Sequence, residues 1–392
     1  MFADPIMQAM PLYHSTAMIL CYAHVIDAGA TLALGRKFST RNFWNEVRKH
    51  DATIIQYVGE TCRYLLSAPP AIDPVTGENL DKKHKVRTAL GNGLRPDVWN
   101  RFKERFGIEA IAEFYAATEG NFATFNLSKN SWSMGAVGRN GAVYGLALGR
   151  TLALVKVDHE TDRPHRDSKT GFCTRVRHGE PGELLFRLPA NDVQSRFQGY
   201  YGDQAASAKK VMRDVFTKGD AWFSTGDILR WDPNNMVHFS DRIGDTFRWK
   251  SENVSTAEVS QALGLHPAVQ ESNVYGVSLP GHEGRAGCAT VLLDPAVLTA
   301  AGAAPSSEVL GSMAQHVLDR LPKYAVPIFV RVAKGGSLVV TGTNKQQKNV
   351  LRDQGVDPSK TGDDLVYWLK GGSYVPFGPS EWAELSAGKV KL

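Results

Sequence analysis

Residues Ser224 to Glu258, STGDILRWDPNNMVHFSDRIGDTFRWKSENVSTAE, hold the densest run of side chains that could do chemistry. Asp227 stands in a Gly-Asp turn that ends an aromatic run. Asp232-Pro233-Asn234-Asn235 is a turn sequence between two strand-like segments. The cluster Asp241-Arg242-Ile243-Gly244-Asp245 follows. A carboxylate and a guanidinium on either side of a tight turn suit the two hydroxyls of a ribose. The same spacing also describes an ordinary surface ion pair. Two further segments weigh on that choice: Glu113-Phe114-Tyr115-Ala116-Ala117-Thr118-Glu119-Gly120-Asn121 upstream, and Thr341-Gly342-Thr343-Asn344-Lys345 downstream.

In this order and spacing the three segments resemble the adenylate-forming (AMP-binding) superfamily, within it the fatty-acid-transport-protein and very-long-chain acyl-CoA synthetase branch. That branch shows Tyr-Gly-Ala-Thr-Glu-Gly-Asn, then Thr-Gly-Asp, then Asp-Arg-x-Gly-Asp-Thr-Phe-Arg-Trp-Lys-Gly-Glu-Asn-Val-Ser-Thr, then Thr-Gly-Thr-Phe-Lys. The resemblance runs from about Pro11 to about Trp382. It implies an ATP-dependent fatty acyl-CoA synthetase using ATP, Mg²⁺ and coenzyme A, coupled to fatty acid uptake. Tyr115 would stack on adenine, Thr118 would meet the α-phosphate, and Glu119 would ligate the metal. Asp227 and Arg242 would hold the ribose, and Gly91-Asn92-Gly93 would be the adenine loop. His14 would border the acyl pocket. Lys345 would be the catalytic cation, with Lys348 a rival. Gly244 would be the hinge, and Ser251 would border the coenzyme A tunnel where the branch has Gly. Ala116 and Asn344 also depart from the family's Gly and Phe.

These groups need elements to position them. From Met1 to about Ala71 helical and strand signals alternate, a βαβ rhythm that implies parallel strands covered by helices. Strands are expected at Ala30 to Leu34, Thr53 to Tyr57, Val86 to Leu90 and Glu109 to Phe114, and helices at Phe43 to His50, with Ser39 as cap, and Asp97 to Phe106. Residue 115 then falls at a strand's carboxyl end, where open α/β sheets bind ligands. Shorter alternating segments follow, including Leu152 to Val157 and Gly182 to Arg187. The fold class expected is α/β: a partial large domain over 1–240, with a parallel sheet and a β-rich subdomain from about 135, then a small α+β C-terminal domain over 241–392, mobile and carrying Lys345. Strands at Val269 to Val277 and Leu338 to Val340 and a helix at Ser306 to Leu321 belong to that second domain.

Apolar residues make up 43% of the 392 and charged residues 22%, enough for sizeable cores in two or three units. A net charge of +5 suits anionic ligands or membrane surfaces, but no basic stripe interleaved with aromatics points to nucleic acid. Cys21, Cys62, Cys173 and Cys288 lie far apart and read as reduced, buried thiols of a cytosol-facing protein. The apolar run Thr16 to Leu34 is interrupted by His24 and Asp27, so membrane contact would be peripheral. Val390-Lys391-Leu392 only loosely echoes a peroxisomal address, leaving endoplasmic reticulum, lipid droplet, plasma membrane and peroxisome all open.

The family's first half, with its phosphate-binding loop, has no counterpart in these residues, so the expectation is a truncated chain with impaired turnover. Losing one strong electrostatic donor costs roughly 3 kcal/mol of transition-state stabilisation, and several would be missing. Two alternatives stay open: a non-catalytic AMP- or lipid-binding remnant, and an acyl-adenylating ligase of secondary metabolism. Acyl chain length and oligomeric state are not legible.

Overall fold

The computed structural model describes residues 4–117, 119, 122–139, 141, 151–158, 161–250, 252–298, 304–334, 348–390 and 392. The chain forms two compact units, 1–240 and 241–392.

The first unit opens with a sheet of six strands: β1 (Pro5–Gln8), β2 (Thr31–Leu34), β3 (Ile54–Val58), β4 (Thr88–Asn92), β5 (Ala110–Ala116) and β6 (Ala123–Ser128). Their order is β2-β1-β3-β4-β5-β6, parallel throughout except for β6, which runs antiparallel to β5. A helical segment Thr16–Ala23 continues into α1 (His24–Ala28), followed by α2 (Phe43–Lys49), α3 (Gly59–Ser67) and α4 (Pro96–Phe106). The βαβ expectation therefore holds, with β1 and β6 added. Phe102, Phe106, Trp44 and Trp99 are buried around α2 and α4, and the Trp44 ring stacks on Phe106 at 4.6 Å. The cap expected from Ser39 is different in kind. Its backbone carbonyl, not its hydroxyl, accepts from the Phe43 amide at 2.9 Å, and the N-cap residue is Asn42.

The β-rich part contains β7 (Ala136–Arg139), β8 (Leu152–Val155), the short ribbon of β9 (Val157–Asp158) and β10 (Arg163–Pro164), β11 (Gly182–Leu188), β12 (Val211–Arg213), β13 (Ala221–Trp231) and β14 (Met236–Arg242). A second sheet runs β7-β14-β13-β11-β8, with β12 also on β13. The helix α5 (Gln204–Lys210) precedes β12, its N-terminus capped by Asp203. The turn between β13 and β14 is the one expected. The Asp232 carboxylate accepts from the amides of Asn234 and Met236, and Asn235 takes φ +59°.

The second unit holds the ribbon β15 (Phe247–Trp249) and β16 (Glu252–Val254), then a five-stranded sheet of β17 (Val269–Val277), β18 (Ala286–Leu293), β19 (Phe329–Val332), β20 (Leu365–Lys370) and β21 (Ser373–Pro376) in sequence order. Helices α6 (Thr256–Gly264), α7 (Ser307–Arg320), α8 (Asn349–Gln354) and α9 (Pro379–Ser386) complete it. Leu263, Tyr275, Phe329, Trp368 and Tyr374 are among its buried core. The strand expected at Leu338 to Val340 lies outside the described residues. All four cysteines are buried and unpaired with one another, and burial pushes the thiols of Cys21 and Cys288 up to about 12. Among the described residues no helix is long and apolar enough to cross a membrane.

Candidate functional site

Parallel strands β4 and β5 lie side by side and deliver two candidate segments to the same edge of the sheet. Glycine is needed at 91 and 93 for different reasons. A Cβ on Gly91 would come within 2.2 Å of the Tyr57 carbonyl oxygen on β3, so strand packing excludes any side chain. Gly93 instead adopts φ +77°, a left-handed backbone, and a Cβ there would meet open space. The Gly93 carbonyl fills the place a Cβ of Gly59 would take, seating the loop on the start of α3. Between them the Asn92 Oδ1 accepts from the Thr16 hydroxyl at 3.3 Å. Beside the loop, Arg63, 4% exposed, bridges Glu60 at 3.4 Å and Asp97 at 2.9 Å, tying α3 to α4.

Tyr115, at the end of β5, donates its hydroxyl to the Asp227 Oδ2 at 2.8 Å. Two residues 112 apart in sequence thus meet in one hydrogen bond. Tyr115 is only 8% exposed, its ring sharing a core cluster with Leu154, Leu184 and Phe186. Asp227 is half-buried and reaches Tyr115 because of a bulge. On β13 the three residues 225 to 227 stand opposite the single Leu184 of β11, between the pairs Glu183–Ile228 and Leu185–Ser224. The Thr225 hydroxyl donates to the Leu184 carbonyl at 2.8 Å and accepts from the Asp227 amide at 3.0 Å, fixing the bulge. Lys210 Nζ donates to the Thr225 carbonyl at 3.1 Å.

Glu119 is half-buried and its carboxylate accepts the Tyr200 hydroxyl proton. Desolvation, then that carboxylate, push the Tyr200 hydroxyl up to about 12. Among the described residues no group of three or more His, Cys, Asp and Glu could hold a metal by itself. His14 is half-buried in the loop before the first helical segment, its carbonyl accepting from the Met18 amide at 2.9 Å. Thr118, Ser251 and Lys345 lie outside the described residues.

Arg242 and Gly244 belong to the second unit, taken by itself. Arg242 is exposed at the end of β14, and Gly244 has φ +86° with open space around it. The two acids flanking them bond to groups of the same unit. Asp241 is 3% exposed and accepts from the Thr256 amide at 2.6 Å, the Ser255 hydroxyl at 3.0 Å and the Thr256 hydroxyl at 3.2 Å. It closes the N-terminus of α6, where an anionic acceptor is favoured. Asp245 pairs with Lys348 at 3.1 Å and Arg352 at 3.2 Å, while Arg352 also donates to the Gly244 carbonyl at 3.1 Å. Lys348, which also donates to the Thr256 hydroxyl at 2.6 Å, is engaged within its own unit.

Sequence reasoning missed two buried acids, Glu113 and Glu183, each inside an apolar strand run. A charged residue within Ala-Ile-Ala-Glu-Phe or Gly-Glu-Leu-Leu-Phe was the available signal.

With a parallel sheet, a bulged strand presenting Asp227 and a separate α+β unit in place, the class is defined: the chain belongs to the AMP-binding enzyme family. That family matches residues 2–201, and its C-terminal domain matches 258–345. The chain is 43% identical over 395 residues to a very long-chain fatty acid transport protein of Cochliobolus heterostrophus, covering 99% of this chain and 58% of that one. It is 41% identical over 387 residues to isopenicillin N epimerase component 1 of Hapsidospora chrysogena, covering 96% of this chain and 61% of that one. The chain thus spans about three-fifths of the length of these relatives. Among solved structures it is similar to ATP-bound MatB from Rhodopseudomonas palustris, with a TM-score of 0.66 at 22% identity over 90% of this chain and 60% of that one. It is also similar to o-succinylbenzoate coenzyme A synthetase from Bacillus subtilis bound to ATP and magnesium, with a TM-score of 0.61 at 22% identity over 90% and 61%. Both likenesses concern the fold.

Proposed function

We propose that this chain carries the adenosine-binding part and the mobile unit of a ligase that activates long- or very-long-chain fatty acids with ATP and coenzyme A. The observation that carries the reading is the Tyr115–Asp227 hydrogen bond at the carboxyl edge of the parallel sheet, in a chain 43% identical to a fatty acid transport protein. In the first step a fatty carboxylate oxygen bonds to the α-phosphorus of ATP and the bond to pyrophosphate breaks. In the second, the coenzyme A thiolate attacks the acyl carbon and AMP leaves with the bonding electrons. Negative charge on oxygen must be held in both steps, so placed cations and donors dominate.

Asp227, oriented by Tyr115, accepts from ribose hydroxyls, with Arg242 as the second ribose contact. Gly91, Asn92 and Gly93 border the base, and Thr118 contacts the α-phosphate. Glu119 would hold Mg²⁺, which would supply positive charge against the phosphate oxygens. Lys345 supplies the cation for adenylation, Gly244 is the pivot between the two half-reactions, Ser251 borders coenzyme A, and His14 borders the acyl chain. Units 1–240 and 241–392 act as the fixed and the mobile domain. A peripheral, cytosol-facing place at a membrane surface fits a fatty acid substrate.

The 392 residues show no glycine-rich phosphate loop in sequence, so by themselves they are expected to bind AMP while making acyl-CoA poorly. Calorimetry with AMP, and an oleoyl-CoA assay with ATP, Mg²⁺ and coenzyme A, test the two parts. Absence of AMP binding at millimolar concentration overturns the nucleotide assignment. Oleoyl-CoA formation that Lys345→Ala abolishes overturns the expectation of poor turnover and upholds the ligase chemistry. Similarity to isopenicillin N epimerase component 1 favours a second reading, activation of a non-fatty carboxylate, which a panel of carboxylic acids separates from the first.

A further inference from the structure

We propose that Glu113 and Glu183 are positioning residues, a pair of buried carboxyl groups that each hold one of the two glycine turns bordering the nucleotide site. The inference rests on the adenosine reading above and goes beyond it. None of the ligand-contacting roles assigned there includes either acid.

The two acids do the same thing in two places. Glu113 is 1% exposed on β5, two residues before Tyr115, so both side chains leave the same face of the strand. Its Oε1 accepts from the Leu94 amide at 3.1 Å and from the Gly93 amide, and its Oε2 accepts the Tyr57 hydroxyl proton. Glu183 is fully buried on β11, beside the bulge that presents Asp227. Its Oε1 accepts from the Gly226 amide at 3.1 Å and from the Ser224 hydroxyl. Gly93 and Gly226 both have φ +77°. At each site, then, a left-handed glycine turns its amide inward onto an oxygen of a buried carboxyl group.

Such burial is unfavourable in itself. Desolvation raises the Glu113 carboxyl to about 8 and raises that of Glu183 as well. An apolar side chain of similar size would suit either strand interior better, but could accept neither glycine amide. The two turns are anchored separately, one from β5 and one from β11, and the Tyr115–Asp227 hydrogen bond joins the end of β5 to the second turn. Releasing either anchor lets its turn relax away from the ligand.

The test uses the full chain and AMP as the probe. Glu113→Ala and Glu183→Ala remove the acceptor, whereas Glu113→Gln and Glu183→Gln keep one carbonyl oxygen for the amide. The dissociation constant for AMP should rise about tenfold or more in each Ala variant and stay within about threefold of wild type in each Gln variant. If an Ala variant does not fold, the Asp variant at that position retains an acid but withdraws it by one methylene, and should weaken AMP binding similarly. Ala or Asp variants that melt lower yet bind AMP as wild type does would show a purely structural role and overturn the inference alone. Wild-type protein that binds no AMP would overturn the nucleotide reading and this inference with it.

Discussion

Replacing Glu113 by Gln should change how stability depends on pH. Burial lifts this carboxyl from 4.5 to about 8, with Tyr57, Leu94 and Gly93 opposing the shift through their hydrogen bonds. Below 4.5 both the folded and unfolded chains hold the proton, and the neutral acid's contribution is fully present. Between 4.5 and about 8 the folded chain still holds a proton that the unfolded chain has released, so stability falls as pH rises. Tyr57 and Cys62, both pushed well up by burial, stay neutral through this window and do not alter the sign. The slope is about 1.4 kcal/mol per pH unit, so from about pH 5 to about pH 7 wild type should lose about 3 kcal/mol relative to Glu113→Gln. Urea unfolding of both proteins at several pH values measures this. Tryptophan fluorescence is a suitable signal because Trp44 and Trp99 are buried in the same core. Wild-type and Gln stabilities that run parallel from about pH 5 to about pH 8 would refute the assignment of a proton to the folded-state carboxyl.

Three other outcomes follow from the geometry. Asp241→Ala strips the acceptor from the Thr256 amide and the Ser255 hydroxyl at the head of α6, and should cost about 3 kcal/mol in denaturant unfolding of the second unit. Gly91→Ala drives a Cβ to 2.2 Å from the Tyr57 carbonyl, backbone against side chain with no flexible end to yield, and should lower stability by about 2 kcal/mol or more by thermal unfolding. Lys348→Ala removes a part-buried pair with Asp245 and should cost about 1 kcal/mol in stability.

Four of the parallel strands, β2 to β5, were legible because their apolar runs alternate with helical segments, and each run is long enough to mark its own element. Strand β6 was not, because its pattern is inverted. Thr124, Asn126 and Ser128 are buried, while Phe125 and Leu127 are 50% and 42% exposed. Alternation identifies a strand but not which face is inside. Here buried polar groups find partners that sequence does not display, such as the Ser133 and Ala136 carbonyls that accept from Asn126 Nδ2, both at 3.0 Å. Strand β1 has only four residues, and its place between β2 and β3 is set by pairing across the sheet.

Acids were the harder residues to read, and the reason is general to them. A carboxylate near glycine has two customers, a ligand's hydroxyls or the chain's own amides, and spacing along the sequence is the same for both. Asp241 stands one residue from Arg242, which the resemblance places on the ribose, yet its oxygens accept from the first turn of α6. Asp227 sits after Gly226 in a similar-looking turn, yet its side chain accepts from Tyr115 on the neighbouring sheet. What separates them is burial: Asp241 is 3% exposed, whereas Asp227 is half-buried. An acid sealed from water has to satisfy its oxygens within the fold. By that criterion Glu113, Glu183 and Asp241 hold backbone in place, which leaves Asp227 and Glu119 as the half-buried acids of the candidate site still able to meet a ligand.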